Sequence, residues 1–333
     1  MERISRVAVT IVTYNSARFI RQCLESVLAQ VPAPDEVVVV DNASGDGTRA
    51  ILQEFESRLH VIYNSDNRGF AGGHNQAISY TTSQWVFVLN PDVRLSPDFL
   101  VRLQGAGEAD RSVGTVCGKL LAMEPDLRVP LRPVLDSTGI YFTPAMRHFD
   151  RGSKEPDTGQ YDGPEYVFGA TGAAALYRRE MIADISIGGE FFDEDFFVYR
   201  EDADVAWRAQ LLGWKCLYVP TAVGYHVRSV LPSNRRGVAA AVNMHSVKNR
   251  WYLRIKNATG DLYRRHWWAM AARDVVIIGA CVLREWTSLR AFPMVLRNVP
   301  KMLAKRRAIM QRRRVSDEYI AAWFSDKPKS FPA

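Results

Sequence analysis

The stretch "VVVVDNASGDGT", from Val37 to Thr48, runs four valines into Asp41, Asn42 and Asp46, with two glycines in the turn. Consecutive β-branched apolar residues read as a strand buried on both faces, as strands of a parallel sheet are. Such a strand, ending in a carboxylate and an amide, delivers polar groups to one edge of the sheet. The residues that follow, "GTRAILQEFES", carry a helical pattern, and Ser44 and Asp46 are its candidate caps. Strand, acidic turn and helix together make one half of a βαβ unit.

The same alternation extends in both directions. "VAVTIVTY" (7–14), "LHVIYN" (59–64) and "QWVFVLN" (84–90) are predicted strands; 17–30 and "AGGHNQAISYTT" are predicted helices, and Ser96-Pro97 opens another. This spacing predicts a mostly parallel, Rossmann-like sheet, with ligands beyond the carboxyl ends of its strands. Thr13, Tyr14, Asn15, Asp41, Asn42, Asn90 and Asp92 then share one crevice. From Val113 to Gly172 the pattern is irregular and rich in Pro and Gly, which predicts hairpins and loops. "CLYVPTAVGYH" (216–226) reads as extended, and helices dominate beyond Val238. We divide the chain into a catalytic domain, residues 1–236, and a helical C-terminal region, 237–333.

Composition narrows the class. The 333 residues are 47% hydrophobic and 24% charged, as in a soluble globular protein. Cys23, Cys117, Cys216 and Cys281 stand far apart, which suits a reducing compartment and no structural metal. A strand begins within a few residues of Met1, so no signal peptide is expected, and the predicted location is cytoplasmic. The net charge is +7, and eight Lys/Arg with no acidic residue lie between Arg297 and Arg314. That run suits a phosphate-bearing partner or an anionic membrane surface at the inner face of the plasma membrane; a solvated helical face is an equally good reading. The segment 283–314 mixes basic and apolar residues as a membrane-surface helix does. No nucleic-acid partner is expected. "VVIIGACVL" (275–283), bounded by charges, is too short to span a bilayer, so contact with a membrane is expected to be peripheral.

Three further elements carry chemistry. "VLNPDV" (88–93) ends a strand in Asn90-Pro91-Asp92. "FFVYREDADVAWR" places Glu201, Asp202 and Asp204 at a helix start, where acidic residues also serve as dipole partners. His226 ends a later strand. With "TYN", "VDNASGDGT" and "NRGFAGGHNQA" (67–77), these motifs follow one another in an order that resembles the inverting family 2 glycosyltransferases, over roughly residues 5–255. The resemblance implies the GT-A nucleotide-diphospho-sugar transferase fold with a helical C-terminal extension.

By resemblance, Asp41 meets the base or ribose of a nucleoside-diphosphate sugar, with Thr13, Tyr14, Asn15 and Asn42 in the same pocket. Asn67, Gly69, Phe70, Gly73 and Asn75 belong to its rim, the glycines allowing close backbone approach and the amides offering hydrogen bonds. Asn90-Pro91-Asp92 stands where the family usually has Asp-x-Asp, so Asp92 and His226 are the implied ligands of a divalent cation, Mg2+ or Mn2+. Arg228 lies on a polar loop with Arg235 and Arg236, suited to closing over diphosphate. Asp202 is the implied general base, with Glu201 as the competing assignment. Gly172 and Ala173, in "FGATGAAALYRRE", and Arg208 are placed on the acceptor side. With "KNRWY" (248–252), the set looks most like bacterial rhamnosyltransferases of surface-polysaccharide assembly. The implied donor is dTDP-L-rhamnose and the implied acceptor a saccharide or a polyprenyl-diphosphate-linked saccharide. A UDP-hexose donor in the same family, a nucleotidyltransferase and an inactive scaffold are the alternatives.

Overall fold

In the computed structural model, which describes residues 5–228 and 240–333, the valine run is β2 (Glu36–Asp41). It lies parallel to β1 (Val7–Thr13), with Thr13 opposite Asp41. The chain continues through α1 (Ile20–Leu28), α2 (Thr48–Gln53), β3 (His60–Tyr63), α3 (Gly69–Ser79), β4 (Trp85–Leu89), β5 (Val93–Leu95) and α4 (Phe99–Ala109). Strands β1, β2, β3 and β4 are mutually parallel neighbours, as the alternation predicts. Asp46 accepts the backbone N–H of Thr48, the first residue of α2, at 2.9 Å. Ser44 does not cap that helix; its hydroxyl accepts the N–H of Asn15 at 2.9 Å and so ties the first two strand ends together.

The stretch expected to be irregular contains a long strand, β6 (Val113–Ala122). Gly114 and Gly118 read as breakers in sequence, but both sit where side chains pack directly on the strand. A Cβ on Gly118 would stand 2.4 Å from the carbonyl of Ala222 and 2.7 Å from the Phe99 ring. Short strands β7 (Leu135–Ser137), β8 (Ile140–Phe142), β9 (His148–Asp150) and β10 (Glu165–Val167) follow. Next come β11 (Ala174–Arg178), α5 (Arg179–Ile185), α6 (Glu201–Leu211) and β12 (Lys215–His226). β11 inserts antiparallel between β4 and β6, so the sheet is mixed and wider than four alternating strands predict. Its central order is β12-β6-β11-β4-β1-β2-β3.

Helices α7 (Ala240–Asn257), α8 (Gly260–Leu283), α9 (Ala291–Gln311) and α10 (Asp317–Ala322) follow, before a short edge strand, β13 (Phe331–Pro332), on β10. The boundary drawn at 236/237 lies outside the described residues, as do Arg235 and Arg236. One apolar core runs from β11 and α6 into α7, α8, α9 and α10 through Tyr252, Met270, Ile309 and Trp323. The four cysteines are buried, and none forms a disulfide among the described residues.

The structure bears on two expectations for this region. Of the eight basic residues from Arg297 to Arg314, six are engaged within the protein. Lys301 and Lys305 reach Asp195, Arg306 reaches backbone carbonyls of α7 and its C-terminal turn, Arg312 and Arg314 reach the Asp184 region, and Arg313 reaches Asp317. These contacts hold α9 in place. The apolar 275–283 run, for its part, is only the end of a 24-residue helix. By length and composition alone, α8 passes for a membrane-crossing helix.

Candidate active site

The carboxyl ends of β1 and β2 meet at Asp41, which is fully buried. Thr13 Oγ1 donates to its Oδ1 at 3.0 Å; the Ser44 N–H and Arg49 Nε donate to Oδ2 at 3.1 and 2.8 Å. Asp41 thus fixes the crevice floor, with three donors already on its carboxylate. Tyr14, which follows Thr13 at the end of β1, is 54% exposed. Asn15 adopts a left-handed backbone (φ 53°) and accepts the N–H of Gly45 at 2.8 Å. Asn42 is buried, donating to the carbonyl of Gly69 and accepting from Asn64, both at 2.9 Å.

Several rim residues have other work than ligand contact. Asn67 accepts the N–H of Gly69 at 2.8 Å and shapes the start of α3. Gly69 has φ +69°, and a Cβ there would stand 2.4 Å from the carbonyl of Phe197. Gly73 is needed because α3 packs on β1, a Cβ meeting Val12 at 2.8 Å; it does not admit a ligand. Asn75 is a clip, not a ligand group. Its amide donates to Phe192 O at 2.7 Å and Glu194 at 3.1 Å, and its oxygen accepts Phe192 N–H at 2.9 Å. Phe70 packs between His74 and Phe192 and touches the Gly172 position.

Asn90 directly follows β4, and its N–H donates to the carbonyl of Ala173 at 2.8 Å, so the Asn-Pro-Asp turn abuts the start of β11. Next to it, the Gly172 N–H donates to Asp202 Oδ2 at 3.0 Å. The first turn of α6 is thereby pinned to the edge of the sheet. Asp202 is half-buried. Burial raises its pKa, with Asp150 adding to the effect, against the bonds from Gly172 and Ala203. Glu201 is different: it is buried, its Oε2 has no hydrogen-bond partner among the described residues, and burial pushes its pKa well above the ordinary carboxylate value. Adjacent residues of a helix start point about 100° apart, so one acid of the pair meets the crevice and the other enters the core.

Asp92 and His226 are 134 positions apart and are brought together by the antiparallel pairing of β5 and β12, which sets His226 beside Val93. His226 Nε2 lies 3.4 Å from Asp92 Oδ1, and Nδ1 lies 2.7 Å from Asp136 Oδ2. Burial alone would lower the imidazole pKa, but the two carboxylates raise it to about 10. Asp136 is held down at about 2, in spite of its burial, by His226 and by Arg228, which contacts it at 2.8 Å. A field that holds a proton there also favours a cation, which would take the proton's place on binding. A carboxylate behind the far nitrogen is the support that metal-binding histidines commonly have. The donor set therefore fits a divalent cation, although among the described residues no group of three or more such side chains converges. The remaining ligands would come from diphosphate and water. Arg228 is held by Asp136 and by Asp150 at 2.8 Å, so it is anchored at the site and is not free to sweep over a ligand.

Arg208 is not on the acceptor side. It is buried, donating to Asp204 at 2.9 Å and to the carbonyls of Ile185 and Phe191 at 2.7 and 2.6 Å. Ala173 is a buried strand residue beside Asn90. The acidic segment before α6 is held from the C-terminal side. Lys256 pairs with Asp193 and Asp204, Lys305 with Asp193 at 2.6 Å and Asp195 at 2.8 Å, and Asn257 with Asp204 at 2.8 Å.

Sequence reading missed Asp136, Asp150 and the role of Asn249. The backbone leading into Glu201 is left-handed at Phe197, Tyr199 and Arg200 (φ 66°, 69° and 72°), a costly conformation for non-glycine residues. The Asn249 amide donates to the carbonyls of Phe196, Val198 and Tyr199, each at 2.8 Å, and braces that loop. The "KNRWY" motif was the available signal; nothing local marks Asp136.

Comparison with known proteins bears on this geometry. A family profile described as "Glycosyl transferase family 2" matches residues 8–186. An N-acetylglucosaminyl-diphospho-decaprenol L-rhamnosyltransferase of Mycobacterium tuberculosis is 27% identical over 246 residues, covering 66% of this chain and 75% of its own. A succinoglycan biosynthesis protein, ExoO, of Rhizobium meliloti is 36% identical over 104 residues, 31% of this chain and 30% of its own. The chain spans less than two fifths of the length of some curated relatives it matches. The crystal structure of GalNAc-T7 with UDP, GalNAc and Mn2+ superposes with a TM-score of 0.62 at 14% identity, covering 77% of this chain and 48% of the other. At that identity the likeness establishes the fold.

Proposed function

Because the chain belongs to glycosyl transferase family 2, we propose that it is an inverting, cation-dependent glycosyltransferase of cell-surface polysaccharide assembly, moving L-rhamnose from dTDP-L-rhamnose to a polyprenyl-diphosphate-linked saccharide. The observation that carries the reading is the acid pair: Asp202 anchored at the sheet edge by Gly172, with Glu201 turned into the core.

The donor's nucleotide occupies the crevice of Thr13, Tyr14, Asn15, Asp41 and Asn42, with the Tyr14 ring against the base. Asn90, with the backbone around Gly69, borders the diphosphate and sugar. Asp92 and His226 would hold a divalent cation, which when bound neutralises charge on the leaving diphosphate. Asp202 accepts the proton of the acceptor hydroxyl as that oxygen bonds to the anomeric carbon. The anomeric bond to the diphosphate breaks in the same displacement, and configuration inverts. The raised pKa of Asp202 makes it take a proton more readily than an exposed carboxylate does. Gly172 has no side chain to fill the space beside Asp202 and Phe70, and the acceptor approaches there.

The mycobacterial relative supports the rhamnosyl donor, and nothing in the crevice reads a 6-deoxy sugar directly. A pocket that accepts a C6 methyl gains only about 1–3 kcal/mol of discrimination, so the thymine base must share the specificity. The test is turnover of dTDP-L-rhamnose and of UDP-hexoses in the presence of Mn2+, with dTDP and UDP as competitors. We expect rhamnose transfer, with dTDP inhibiting at lower concentration than UDP. Faster turnover of a UDP-hexose would refute the donor and leave the transferase standing.

A further inference from the structure

Helix α8 is built inside out for a protein surrounded by water. Its outward face from Trp268 to Leu283 carries Val275 (70% exposed), Val276, Ile278, Val282 and Leu283 (82%), with small residues between. The two charged residues in the middle of that span turn the other way. Asp274 pairs with Arg254 at 2.7 Å and Arg250 at 3.4 Å on α7, and Arg273 is half-buried. A surface helix ordinarily does the reverse. The apolar face is sixteen residues long, ~24 Å at the helical rise. Tryptophans flank it, Trp267 and Trp268 at one end and Trp286 just beyond the other, all more than 60% exposed. Arg264 and Arg265 lie before it, both paired with the buried Asp261, and Arg284 and Arg290 lie after it; all four arginines are exposed.

We propose that α8 docks the protein on a lipid bilayer, lying in the plane of the interface with its outward face among the acyl chains. Aromatic and basic side chains at both ends of an apolar helical face are the anchors such a helix uses at the headgroup level. The exposed charge at the two ends of the patch is basic on balance, four arginines against exposed Glu318 and half-buried Glu285, which complements anionic lipid. The same charge disfavours a second copy of the chain as occupant. Two such faces packed together, in either direction, would set arginines against arginines. A spanning arrangement is disfavoured as well. It would carry Arg273, Asp274 and their partners Arg250 and Arg254 into hydrocarbon, where ionised groups are expensive. The surface is distinct from the basic run of α9, most of which is paired within the fold, and it does not depend on which sugar is transferred.

Flotation of the full chain with vesicles of phosphatidylcholine and phosphatidylglycerol tests this, comparing wild type with the double variant Val275→Glu/Val282→Glu. Both valines are exposed and away from the crevice, so melting temperature and donor hydrolysis should be unchanged. The bound-to-free ratio should fall at least tenfold in the variant. In wild type, brominated lipid should quench tryptophan fluorescence, and alkaline carbonate should strip the bound protein. Wild type that stays unbound, or a variant that floats equally, overturns the proposal. Resistance to carbonate would mean a spanning helix. A wild-type dimer that the variant converts to monomer, with no flotation, would assign the face to self-association.

Discussion

Asn249 offers the sharpest perturbation of the site, because its amide does one identifiable thing. It donates to three carbonyls, those of Phe196, Val198 and Tyr199, in a loop with three left-handed residues directly before Glu201 and Asp202. Asn249→Ala removes both amide hydrogens. At about 1 kcal/mol net for each hydrogen bond, with a further penalty for buried carbonyls left bare, the loss is about 2–4 kcal/mol. Released from its brace, the loop should relax towards ordinary backbone angles and shift the start of α6. A displacement of about 1 Å at a catalytic group costs on the order of 100-fold in rate. Asn249→Asp has the same shape, but it sets a carboxylate against the same three carbonyls and should destabilise more than alanine does. The assays are melting temperature and kcat for sugar transfer. We expect both to fall in the order wild type, alanine, aspartate. Full activity in Asn249→Asp, or alanine the worse of the two, would refute the bracing role.

Other perturbations follow from the same contacts. Lys305→Met leaves Asp193 with Lys256 and Asp195 with Lys301, but removes the cation that joins the two carboxylates; breaking a largely buried pair should cost about 3 kcal/mol, read by calorimetry. For the same reason α9 cannot be removed without disturbing the segment that precedes α6, so truncation after Leu296 should impair sugar transfer along with any binding to vesicles. Glu201 has a raised pKa in the folded state, so its contribution to stability is complete below its unfolded pKa and is lost as pH rises through the folded value. Glu201→Gln should therefore melt at or above the wild-type temperature on the alkaline side, and a lower melting point there would contradict its neutral burial. Asp136→Asn should weaken cation binding about 10–100-fold by freeing His226, measured by Mn2+ titration. An unchanged titration would remove His226 from the ligand set.

The βαβ half of the fold was legible because hydrophobic period and strand-end chemistry agree there: β1 and β2 end at Thr13 and Asp41, and Asn90 directly follows β4. β6 was hidden because Gly114 and Gly118 mimic a loop, when in fact helices α4 and α5 press on the strand at those positions. Motif membership also misassigned residues. Gly73, Asn75 and Arg208 lie in or beside nucleotide-sugar motifs, yet each holds one element against another, a distinction that needs the packing partner to be seen. Asp136 has no local signal, being 90 residues from His226 and brought there by the pairing of β7 with β6. Arg273 and Asp274 ended the apolar run when α8 was read as a string; only the structure turns both inward and leaves the outer face apolar.

The central claim is that Asp202, not Glu201, takes the acceptor's proton. Single-turnover sugar transfer by Asp202→Asn and Glu201→Gln, each loaded with donor and Mn2+, tests it most directly. We expect Asp202→Asn to bind donor normally and lose at least about 100-fold in rate, while Glu201→Gln stays near wild type. A dead Glu201→Gln beside an active Asp202→Asn would contradict the assignment.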